Sequence, residues 1–71
     1  MSFKRDREMY LSIANNPNLS LQQKTACLAQ EFYQREKNFN MKEVEKLARW
    51  INKETGLDTS GEQLWAIISR L

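Results

Sequence analysis

The chain has 71 residues, of which 41% are hydrophobic and 28% are charged. This mixture is typical of a soluble globular domain and excludes a disordered tail, so we expect one helical domain over residues 1–71. Eleven basic and nine acidic residues leave a net charge of only +2. That charge is too small to attract the whole molecule to nucleic acid or to an anionic membrane, although a local patch could still bind either.

The sequence also predicts where the protein resides. No apolar run approaches the roughly 20 residues that cross a bilayer. Residues 4–6 are charged at the point where a signal peptide would become apolar. The single cysteine, Cys27, excludes an internal disulfide and fits a reducing compartment. We therefore expect a cytoplasmic protein that does not enter the membrane.

The first predicted element is a short amphipathic helix over residues 4–15, with Met9, Tyr10, Ile13 and Ala14 on one broad side. The segment 15–18, Asn-Asn-Pro-Asn, should end it. The residue before a proline is disfavoured in the helical region, and asparagine favours turns.

The second predicted helix covers residues 21–36. Ser20 and Gln23 have the spacing of a capping box, in which each side chain bonds the other's backbone amide. Behind this cap, one helical stripe comprises Leu21, Thr25, Leu28, Ala29 and Phe32. The stripe predicts the face that packs into the core.

The third predicted helix, over residues 41–55, has the clearest signals. Asn40 can cap its N-terminus, with Glu43 as the third helical residue, and Gly56 can end it in the left-handed conformation. Its apolar face comprises Met41, Val44, Leu47, Ala48 and Ile51.

The fourth predicted helix covers residues 60–71, after the capping residues 58–60. Its apolar arc is wide and comprises Leu64, Trp65, Ile67, Ile68 and Leu71. No segment shows the alternation typical of a strand. The prediction is an all-α compact bundle of four short helices, in which sequential neighbours pack together because the connections are short. The predicted core comprises Tyr10, Ile13, Leu21, Leu28, Phe32, Phe39, Val44, Leu47, Ile51, Leu57, Leu64 and Ile68.

The residues that most enzymes depend on are missing from this sequence. There is no histidine, which removes the commonest general base and the commonest metal ligand. One cysteine cannot form a structural zinc site, and Gly56 and Gly61 lie at helix boundaries, where they form no phosphate-binding loop. We therefore expect no catalytic residues, no metal site and no cofactor.

The third helix also carries a basic face. Lys42, Lys46, Arg49 and Lys53 project within about 60° of one another, opposite the apolar stripe. Along about 16 Å of helix, these four cations could contact successive phosphates or an acidic groove. The competing interpretation is an ordinary solvated face, on which Glu45 neighbours Arg49 at four residues' spacing.

The fourth helix raises the question of self-association. Its arc, including Trp65 and Ile67, is wide enough to contact two neighbours. One interpretation is simple burial in the monomer. The other is a symmetric homodimer through this helix, which would add stabilisation that a small core lacks.

These observations favour a non-enzymatic protein-binding regulator: an inhibitor, an adaptor or a transcription-associated modulator. The expected anchors are Trp50, Trp65 and Ile67, with Lys46, Arg49 and Lys53 setting orientation and association rate. The identity of the partner is not apparent from the sequence.

The alternative function is a nucleic-acid-binding, helix-turn-helix-like module that uses the basic face of the third helix. Against it, no Asn or Gln lies in the middle of that face to read an adenine edge, and Asn52 lies to the side.

Overall fold

The computed structural model describes residues 5–71 and contains, in that range, four α-helices and no strand. The helices are α1 (Arg7–Ala14), α2 (Leu21–Arg35), α3 (Met41–Thr55) and α4 (Gly61–Ile68). The prediction of a small all-α bundle is confirmed. None of these four helices has both the length and the apolar character that crossing a membrane requires.

The two ends of the chain differ from the prediction. Residue 4 lies outside the described residues, and residues 5–6 form a turn before α1 begins at Arg7. Helix α4 ends at Ile68 instead of continuing to Leu71. Beyond Ile68 the backbone hydrogen bonds join residues three apart, as in a 3₁₀ turn: Arg70 N donates to Ile67 O at 3.0 Å.

The inner helix ends follow their capping residues. Ser20 Oγ accepts from Gln23 N at 3.2 Å while Gln23 Oε1 accepts from Ser20 N at 2.8 Å, which completes the capping box. Asn40 Oδ1 accepts from Glu43 N at 3.0 Å. Gly56 has φ 74°, the left-handed conformation that ends α3. Local sequence therefore determines where α2 and α3 begin and where α3 ends.

The helices neighbour one another in the cyclic order α1, α2, α4, α3. Helices α1 and α4 each pack against both α2 and α3, whereas no Cα atom of α2 lies within 8 Å of a Cα atom of α3. The expectation that all sequential neighbours pack together is therefore wrong for this pair. The short connection over residues 36–40 spans a diagonal of the bundle.

All four helices contribute to one core, which contains Tyr10, Ala14, Leu28, Ala29, Phe32, Val44, Leu47, Ala48, Ile51, Leu64 and Ile68. The prediction that Leu21 is buried is wrong, since this first residue of α2 is 43% exposed. Ile13, Phe39 and Leu57 are half-buried and pack against the core from outside. Ala14, Ala29 and Ala48, which lie on the predicted apolar faces, are also buried, because small side chains fit where helices approach closely.

A buried polar link fixes the connection between α3 and α4. The Asn52 side chain accepts from Thr59 N at 3.1 Å and donates to Thr59 O at 2.7 Å. The Thr59 hydroxyl meets the hydroxyl of Thr25 on α2 at 3.1 Å, and both threonines are buried. These bonds satisfy groups that would otherwise destabilise the interior.

Candidate interaction surface

Helix α3 presents an outer face of four cations that point into solvent. We call Lys42, Lys46, Arg49 and Lys53 the basic ridge; all four are exposed. The opposite side of α3 is buried through Val44, Leu47, Ala48 and Ile51. Because that buried side fixes the rotation of the helix, the basic ridge cannot turn inward.

No side chain of the basic ridge forms an ion pair within residues 5–71. Glu45, four residues before Arg49, does not pair with it. By contrast, Arg35 contacts both Glu31 at 3.1 Å and Asp6 at 3.4 Å, and Arg7 lies 3.6 Å from Glu54. The molecule neutralises arginines on α1 and α2 internally but leaves the four ridge cations available to another molecule.

Trp50 lies on the border of the basic ridge and is half-buried against the core. Glu54, one turn further along α3, pairs with Arg7 and so places this border on the α1 side. Trp50 therefore lies between the basic ridge and α1 and packs partly against the core.

Trp65 lies elsewhere, in an aromatic cluster between α4 and the α2–α3 connection. The centre of its ring is 6.0 Å from that of Phe39, in an edge-to-face arrangement. Phe39 makes the same kind of contact with Phe32 at 5.4 Å and with Tyr33 at 6.2 Å. Such pairs stabilise a fold beyond the area they bury, which gives Trp65 a role in the monomer. Trp50 and Trp65 are thus not part of one patch.

The outer face of α4 contains a groove that the sequence did not indicate. This groove, of about 520 Å³, runs between α4 and the first turns of α2 and is lined by Leu21, Gln22, Thr25, Gln63, Ala66, Ile67 and Arg70. Leu21 and half-buried Ile67 provide its apolar surface. Trp65 and Ile67 lie on opposite flanks of α4, about 160° apart. The signal that was missed is Leu21, whose place on the apolar stripe of α2 suggested burial.

The arrangement of helices bears on the helix-turn-helix alternative. In that motif the recognition helix packs against the helix before it. Here α3 packs on α1 and α4 but not on α2. The helix that precedes the basic ridge in sequence is therefore not its direct neighbour in the bundle.

The described residues contain no group of three or more His, Cys, Asp or Glu side chains that could hold a metal ion. Cys27 is half-buried on α2. The outer face of α3 thus presents three ammonium groups and one guanidinium group, bordered by the half-buried indole of Trp50.

Comparison with family models, with curated proteins and with solved structures finds no match for this chain.

Proposed function

We propose that this protein is a non-enzymatic regulator that binds a protein partner through the outer face of α3, as an inhibitor, an adaptor or a transcription-associated modulator. The observation that carries the proposal is the basic ridge: four exposed cations without an ion pair in residues 5–71, along about 16 Å of one helix. Such a row complements an acidic protein surface and accelerates association with it.

The borders of the basic ridge favour a protein over a nucleic acid. On the α4 side lie exposed Glu45 and Glu62. Their carboxylates would repel phosphates but can pair with lysine and arginine side chains on a protein surface of mixed charge. The two carboxylates belong to one border because Gly61, the first residue of α4, packs directly on Glu45. On the other side Trp50 offers the aromatic contact typical of protein interfaces.

The proposal is tested by affinity capture from cell extract with two variants of equal net charge. The ridge variant carries Lys46→Glu and Arg49→Glu. The control variant carries Lys24→Glu on α2 and Lys37→Glu in the connection that follows α2. We expect the ridge variant to capture at least about tenfold less partner protein than the wild type, and the control variant to capture as much. Only the ridge variant removes complementary charge from the interface.

Equal capture by wild type and ridge variant, or equal loss in both variants, would contradict the proposal. Trp50→Ala then tests the aromatic border. Its helix content must first be checked by circular dichroism, because this side chain also supports the core.

A second candidate function is binding to the phosphate backbone of nucleic acid. It is favoured by the spacing of the basic ridge, in which neighbouring cations lie about 4–6 Å apart along the helix axis. Binding of duplex DNA through three or four phosphates should weaken with a log–log salt slope near −3 to −4. The ridge variant should flatten that slope. Absence of salt-dependent binding in the wild type would reject this candidate.

A further inference from the structure

The outer face of α4 carries one acid and one base placed symmetrically about a small residue. Glu62, Ala66 and Arg70 follow one another at four-residue spacing, and all three are exposed. Side chains at this spacing form the row along which helices most often pack against each other. The middle position, Ala66, is small enough to let a second helix approach closely.

Neither charge on this row is neutralised within residues 5–71. Glu62 and Arg70 form no ion pair there. They cannot pair with each other, because eight residues separate them by about 12 Å along the axis.

Arg70 follows the end of α4 yet stays on this face. Ser69 N still donates to Trp65 O at 2.9 Å, and Arg70 N donates to Ile67 O at 3.0 Å, so the chain continues to turn in the helical sense. As a result Arg70 lines the same groove as Gln63 and Ala66. The acid–alanine–base row is therefore continuous past the end of the helix.

We propose that a second copy of this chain binds here, with the two α4 helices antiparallel and crossing at Ala66. In an antiparallel pair related by a two-fold axis, residues equally distant from the crossing point face each other. Glu62 of each copy then lies beside Arg70 of the other, and two ion pairs form from one self-complementary face.

The positions of the two charges favour a second copy of the chain as the partner, with its α4 helix antiparallel to the first. A parallel pair would place Glu62 beside Glu62 and Arg70 beside Arg70, which is repulsive. The neighbouring groove adds apolar surface to the contact, because Leu21 is 43% exposed there and Ile67 is half-buried. The four cations of the basic ridge lie on another helix and only Glu62 is shared with its border, so charge reversal at Arg70 tests this pairing separately from the proposed function.

Sedimentation equilibrium over a concentration series tests the pairing. The wild type should approach twice the chain mass of 8.4 kDa. Either Glu62→Arg or Arg70→Glu alone creates two like-charge contacts per dimer, and we expect each to weaken dimerisation at least about tenfold. An equimolar mixture of the two variants should restore it, since the mixed dimer contains two opposite-charge pairs.

Three further variants keep the outcome unambiguous. Glu62→Gln and Arg70→Gln, which remove charge without reversing it, should each weaken dimerisation less than the reversals, while circular dichroism reports on the fold. Lys53→Glu, on the basic ridge, should leave dimerisation unchanged. The proposal is overturned by a monomeric wild type at every concentration, by a dimer insensitive to either reversal, or by a mixture that fails to restore dimerisation.

Discussion

Asn52 connects two helices through a single side chain. Its amide group both accepts from and donates to the backbone of Thr59, and Thr59 in turn contacts Thr25 on α2. One residue of α3 thereby fixes the connection that positions α4. The sequence predicts Asn52 only as a polar residue beside the basic face, since its partners lie seven residues away and depend on the path of the connection.

Replacement of Asn52 by alanine should lower the free energy of unfolding by about 1–3 kcal/mol, because it leaves partly buried backbone groups of Thr59 without a partner. Urea denaturation followed by circular dichroism measures the change. Gln34→Ala, an exposed position on α2, serves as the control and should change stability by less than about 0.5 kcal/mol. A similar small change for Asn52→Ala would show that solvent replaces both bonds.

Tyr10 is buried completely, and its hydroxyl group has no hydrogen-bond partner in the described residues. Burial raises the pKa of Tyr10 well above its ordinary value, with further contributions from Asp6 and Glu36. The fold therefore favours the neutral phenol. The stability that this preference contributes to the folded state is fully present below the pKa near 10 of the unfolded chain. It is lost as the pH rises toward the higher pKa of the folded state.

Tyr10→Phe removes this titration and an unsatisfied hydroxyl group. At pH 7 the variant should match the wild type within about 1 kcal/mol or exceed it. Above pH 10 the wild type should lose stability relative to the variant at about 1.4 kcal/mol per pH unit. Tyr33→Phe, at an exposed tyrosine, is the control. Parallel stability curves for Tyr10→Phe and wild type up to pH 11 would contradict this account.

At the scale of the helix, α3 follows its sequence most closely. Its cap at Asn40, its apolar stripe and its end at Gly56 act over three or four residues, so they are visible without tertiary information. Helix α4 is less predictable. Leu71 continues its apolar pattern in the sequence, but the chain leaves the α-helix at Ile68 and Leu71 is exposed.

The contact between α3 and α4 depends on the absence of a side chain at Gly61. A Cβ atom at this position would lie 2.6 Å from Glu45 Cγ and 3.0 Å from Glu45 Cα. Gly61→Ala should therefore destabilise the protein by about 1–3 kcal/mol, although alanine is the better helix former. Thermal unfolding measures the effect.

Glu45→Ala in the same chain tests the cause. It removes the Cγ atom but leaves the close Cα, so it should restore part of the lost stability. A Gly61→Ala variant as stable as the wild type would show that α4 can move away from α3 at little cost.

At the scale of the whole molecule, the sequence predicted the four helices and most of the core. It did not predict which helices pack against each other. Nothing in residues 36–40 indicates that α2 and α3 lie diagonally, because that depends on how α1 and α4 fill the spaces between them. The same limit applies to the candidate surfaces. The basic ridge follows from the spacing within one helix, whereas the groove beside Ala66 requires two helices to be placed together.

The central claim is that the basic ridge binds a protein, and capture from extract with and without nuclease tests it most directly. We expect the wild type to retain the same captured protein after nuclease treatment, and the Lys46→Glu, Arg49→Glu variant to lose it under both conditions. The Lys24→Glu, Lys37→Glu variant should behave as the wild type. Loss of the captured protein on nuclease treatment, or its retention by the ridge variant, would contradict the claim.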